Sequence, residues 1–115
     1  MPRTRQEIYD IVSSHLLTQM EKSEGSPDGL CLYRYGKLRC AVGCLISDEK
    51  YSPDLEGLDA GRVAVCDAAD VDCLADSQFL AELQDIHDAQ ETQYWRTSLQ
   101  CFAIDNNLEF KEPAK

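Results

Sequence analysis

Apolar residues recur at helical spacing from the start of the chain. Ile8, Val12, Leu16 and Met20 stand four apart, and Ile11 stands three after Ile8. A helix turns once in about 3.6 residues, so these positions form one stripe that a core can cover. Thr4 and Glu7 precede the stripe as a Thr-x-x-Glu capping box, each side chain able to accept the other's free backbone amide. Lys22 near the end suits the negative pole of the helix dipole, and residues 24–29, Glu-Gly-Ser-Pro-Asp-Gly, stop the helix. The pattern then shortens. Leu30, Leu32, Tyr33 and Tyr35 lie on one side of Gly36-Lys37, and Leu38 and Cys40 on the other. This predicts a small β-hairpin with strands over 30–34 and 38–41, which must pack on helices because a lone hairpin is marginal in water.

Residues 40–46 can extend the second strand or form a short buried helix with Gly43 at a close contact, and the short helix is the reading taken. Residues 47–61 are rich in turn formers, but Tyr51, Leu55 and Leu58 anchor them as an ordered loop. Over 62–75, Val63, Cys66, Val71, Cys73 and Leu74 suggest a helix. Asp76 or Ser77 can cap the next helix, whose buried stripe is Phe79, Leu80, Leu83 and Ile86, while Glu82, Asp85 and Asp88 face water. Thr92 can cap a last helix lined inside by Trp95, Leu99, Phe102 and Ala103, and Asn106-Asn107 stops it.

The expected fold is α+β and predominantly helical: a long N-terminal helix, a small hairpin and two to three further helices. Residues 1–108 form one globular domain and 109–115 a frayed polar tail. The expected core is Ile8, Val12, Leu16, Leu32, Val42, Leu45, Phe79, Leu83, Ile86, Trp95, Leu99 and Phe102.

Composition narrows the setting. A chain of 115 residues can bury enough apolar surface to fold without disulfides or metal. No apolar run approaches the ~20 residues of a membrane span. The N-terminus has basic residues but no apolar region after them, unlike a secretory signal. The expected compartment is therefore the cytoplasm, where the six cysteines, Cys31, Cys40, Cys44, Cys66, Cys73 and Cys101, stay reduced.

The net charge of -10 is concentrated in one segment. Residues 48–91 hold thirteen acidic side chains against Lys50 and Arg62, while the flanking segments are close to neutral. Such a segment repels phosphate and attracts basic surfaces, which argues against direct nucleic-acid binding. It can equally serve as a solubilising face.

Three chemistries compete for the remaining signals. Cys31, Cys40 and Cys44, with His87 or His15 as a fourth ligand, could hold structural zinc, although no Cys-x-x-Cys knuckle is present. The same cysteines could instead pack as small hydrophobes, as Cys66, Cys73 and Cys101 do on apolar positions. A cysteine nucleophile at Cys40 or Cys44 would need a nearby base such as His15 or His87, but no enzyme signature surrounds either. His15 reads as a core-edge or surface side chain, and His87, beside Asp85 and Asp88, as part of a solvated face. Asp70-Val-Asp72 lacks the glycine and the closing glutamate of a calcium loop. No phosphate-binding glycine loop occurs. Arg34, Lys37 and Arg39 beside Tyr33 and Tyr35 form a small basic, aromatic turn, set against the overall acidity.

The stretch Cys40-Ala-Val-Gly-Cys-Leu-Ile-Ser-Asp-Glu-Lys-Tyr-Ser-Pro-Asp-Leu-Glu-Gly57 resembles a group of small proteins of tailed bacteriophages and prophages. Gln6-Glu-Ile-Tyr9, Ser14-His-Leu-Leu-Thr-Gln19 and the pairing of Leu83-Gln-Asp-Ile-His-Asp88 with Trp95 are similar to the same group, whereas 62–77 takes no part. The resemblance implies a phage setting and carries over no functional residue. In that setting the expectation is a non-enzymatic acidic accessory protein that binds and inhibits a host protein in the bacterial cytoplasm. One such target is a defence enzyme acting on nucleic acid, blocked in an anti-CRISPR-like manner by phosphate mimicry. Asp67, Asp70, Asp72, Asp76, Glu82 and Asp85 are the expected contacts. A zinc-stabilised binding module and a cysteine-dependent enzyme are the alternatives.

Overall fold

The computed structural model describes residues 3–21, 33–35, 37–56, 62–89 and 91–111, and the side chains of Tyr35 and Cys73 lie outside that description. The protein is predominantly helical. Among the described residues the helices are α1 (Arg5–Gln19), α2 (Val63–Ala69), α3 (Cys73–Ala89) and α4 (Trp95–Asp105).

Helix α1 starts where the sequence places it. Thr4 Oγ1 accepts the Glu7 N–H at 3.2 Å, and Glu7 Oε1 accepts the Thr4 N–H at 2.9 Å. The helix ends sooner than its apolar pattern, because Met20 turns left-handed at φ 52°. Its buried face is Ile8, Tyr9, Val12, Ser13 and Leu16, leaving Ile11 and Met20 exposed. Tyr9 takes the inner position that Ile11 was expected to hold. Its hydroxyl donates to the Leu99 carbonyl at 2.7 Å, and its ring stacks on Phe102 with centroids 6.0 Å apart. Burial pushes its phenol up to about 12.

The expected hairpin over 30–34 and 38–41 is not established. Among the described residues only Arg34–Tyr35 (β1) and Leu38–Arg39 (β2) pair, as Arg34 with Arg39 and Tyr35 with Leu38. Leu32 and Gly36 lie outside the described residues. Glu56 takes the N–H groups of Tyr33 and Arg34 on its carboxylate, at 2.8 and 3.2 Å, in place of a wider ladder. The Tyr51 hydroxyl donates to the same carboxylate at 2.7 Å. Glu56 therefore ties the 47–56 loop to β1.

Residues 43–45 form a 3-10 turn, a shorter element than the helix expected over 40–46. Gly43 is required there, since a Cβ would stand 1.9 Å from the Tyr33 carbonyl oxygen. A second 3-10 turn, Pro53–Leu55, is capped by Ser52 and buries Leu55.

The single helix expected over 62–75 is two elements. Helix α2 stops at Asp70, left-handed at φ 61°, where the Val71 N–H returns to the Cys66 carbonyl at 2.9 Å. This is a Schellman-type stop without glycine, a role an Asp can fill. Asp72, rather than Asp76 or Ser77, then caps α3, its Oδ1 accepting the Leu74 and Ala75 N–H groups at 3.1 and 3.3 Å. Thr92 likewise does not cap α4. It opens a 3-10 turn, Thr92–Tyr94, that runs into the helix.

Helix α4 buries Trp95, Leu99, Phe102 and Ala103, the inner face expected from its spacing. It stops at Asn106 and Asn107, the latter left-handed at φ 57°. Residues 109–111 are not a free tail. Glu109 and Gln6 exchange two hydrogen bonds of 3.0 Å, and Lys111 pairs with Asp10 at 3.2 Å. Every expected core residue among the described ones is buried, and α1 packs on the 43–45 turn, α3 and α4 around them.

Candidate interaction surface

The acidic residues singled out by sequence separate into structural and exposed groups. Asp76 is buried, and its Oδ1 lies 2.7 Å from the Arg5 Nε. Arg5 also donates to the Ala75 carbonyl and stacks over Phe79. Asp76 therefore anchors α1 to α3 and is not available to a partner. Asp72 is exposed but occupied as the α3 cap. Asp70 is exposed at the left-handed turn between α2 and α3. Asp67, Glu82 and Asp85 are exposed, and their side chains make no ion pair or hydrogen bond among the described residues. Of the six acids singled out, Asp67, Asp70, Glu82 and Asp85 are exposed and hold no structural side-chain contact among the described residues.

His87 is fully buried, which corrects the solvated face expected for it. It stacks on Trp95 with ring centroids 5.5 Å apart, and its Nδ1 lies 2.8 Å from Asp88 Oδ1. Asp88 also accepts from Gln84 Nε2 at 2.8 Å, and Gln84 Oε1 receives the Val42 N–H at 2.9 Å. Gln84, tied to Asp88, thus holds the 40–45 segment against α3. His15 sits at the core edge, its Nε2 3.0 Å from the Arg39 carbonyl oxygen, and burial lowers its pKa.

Cys40 is buried and its sulfur accepts the Gly43 N–H at 3.1 Å, while the Cys44 thiol donates to the Ala41 carbonyl at 3.0 Å. Burial pushes the Cys40 thiol up, and that of Cys44 up to about 12. A nucleophile needs the thiolate, so neither sulfur is activated here. Both act as small core side chains that close a turn. Cys31, the remaining expected zinc ligand, lies outside the described residues. Among the described residues no three His, Cys, Asp or Glu side chains converge as a metal site. Cys66 is buried as its apolar position suggests, but Cys101 is exposed.

Cys101 belongs to a feature the sequence did not single out. A shallow recess of about 320 Å³ lies between α3 and α4. Asp85, Ile86 and Ala89 line it from α3, and Cys101, Phe102 and Asp105 from α4. Ile86 and Phe102 are largely buried beneath it, while Asp85 and Asp105 are exposed. Asp105 falls outside the acidic segment in sequence. Only the packing of α4 on α3 brings it to the same recess as Asp85, and the three- and four-residue spacing of Cys101, Phe102 and Asp105 is the one hint available beforehand.

No helix among the described residues is long and apolar enough to cross a membrane. No protein-family model, curated protein or solved structure matches the chain.

Proposed function

We propose that this chain is a small acidic accessory protein of the phage type that binds and inhibits a host protein. The observation that carries the reading is the group of exposed carboxylates, without a side-chain partner among the described residues, on α2, α3 and the turn between them: Asp67, Asp70, Glu82 and Asp85. Exposed charges of one sign steer association with a surface of the other sign and select against partners of their own sign. A basic groove that ordinarily holds nucleic-acid phosphate is the matching surface, so the expected target is a host enzyme acting on nucleic acid, such as a defence nuclease. Inhibition follows from occupying that groove.

The test replaces charge without touching the groups that hold the fold. Asp67→Lys, Asp70→Asn and Glu82→Lys combined should abolish capture of the host protein and leave the thermal midpoint nearly unchanged. Asp72 and Asp76 are left intact, because one caps α3 and the other pairs with Arg5. Unchanged capture by the triple variant would remove the acidic face from the interface.

A further inference from the structure

The recess between α3 and α4 combines an apolar floor with carboxylates on both walls. Ile86 and Phe102 form the floor, Asp85 stands on α3 and Asp105 on α4, and among the described residues no basic side chain lines it. A volume of about 320 Å³ is at the lower end for a small-molecule site, and suits one inserted side chain better than a whole ligand. Its chemistry asks for an occupant with an apolar stem and a cationic head. Arginine fits both requirements. Its methylene stem covers apolar surface, and its planar guanidinium offers several N–H donors to carboxylates. A bare metal ion fits less well, since among the described residues no three His, Cys, Asp or Glu side chains converge as a metal site.

We propose that the α3–α4 recess is a receptor for an arginine side chain presented by the basic surface of a partner protein. This inference rests on the inhibitor reading and gives it a point of contact. The exposed carboxylates of α2 and α3 would draw the partner in, and the recess would set its register through one anchored residue. A few buried anchors of this kind, arginine among them, carry much of the energy of protein interfaces.

The recess can be tested on the free protein with n-butylguanidinium as the probe. Titration followed by amide chemical shifts should give saturable shifts at Asp85, Ala89, Cys101 and Asp105. The midpoint should be in the millimolar range, as expected for so small a ligand. The probe should also slow alkylation of the exposed Cys101 thiol at least about twofold, read on its own peptide by mass spectrometry. Asp85→Asn with Asp105→Asn should abolish saturation while leaving the fold intact, because both side chains are exposed. Shifts as large at Asp67 and Asp70 as at the recess, or no saturable shift, would overturn the assignment. The two readings fail separately. A host protein captured through Asp67, Asp70 and Glu82 with no probe binding removes the recess and keeps the inhibitor. Probe binding with no captured host protein supports the recess and removes the inhibitor.

Discussion

Gly43 shows how closely single side chains are constrained. A methyl group at that position would overlap the Tyr33 carbonyl, and the neighbour is backbone with little freedom to yield. Gly43→Ala should therefore cost about 3 kcal/mol or more in urea unfolding, or prevent folding. Asp67 and Asp76 make a contrasting pair. Asp76→Asn breaks a partly buried ion pair with Arg5, which is itself half exposed, and should cost about 1 kcal/mol. Asp67→Asn should stay within about 0.5 kcal/mol of the parent. The two aspartates are indistinguishable in sequence. Arg5 and Asp76 are 71 residues apart, and only the packing of α1 against α3 makes them partners. Local spacing carries no information about such a pair.

At the scale of elements, periodic faces were legible and interruptions were not. The inner face of α4 follows from the spacing of Trp95, Leu99, Phe102 and Ala103, since four apolar residues at helical intervals leave one way to bury them. The capping box of α1 followed from two residues for the same local reason. The break between α2 and α3 did not, because its left-handed residue is Asp70 where glycine is the usual signal. Asp72→Ala should expose that boundary by removing the α3 cap, lowering stability by about 1 kcal/mol in urea unfolding. The contact of α1 with β2 gives a pH dependence. Burial lowers the His15 pKa below its ordinary 6.5, so the unfolded chain takes up the proton first. His15 adds no penalty at neutral pH, and stability falls as pH drops through 6.5 toward the lower folded value. His15→Gln should flatten that part of the thermal midpoint's pH profile; an unchanged profile would place the titration elsewhere.

Across the whole molecule, the charge asymmetry is visible in the sequence but its division of labour is not. The thirteen acids of 48–91 look alike on paper. In the fold, Glu56 joins a loop to β1, Asp72 caps α3, Asp76 anchors α1, and Asp88 hydrogen-bonds the Gln84 amide. The acids without such a role form a smaller set than the segment's charge suggests, and the α3–α4 recess adds Asp105 from beyond the segment. The binding account depends on that residual surface meeting a basic one. Its most direct test is capture of partners from nuclease-treated bacterial lysate by the tagged protein, at low and at high salt, identified by mass spectrometry. The account predicts one dominant host protein with a basic nucleic-acid groove, bound at low salt and released at high salt. A partner retained at high salt, or none at all, would contradict it.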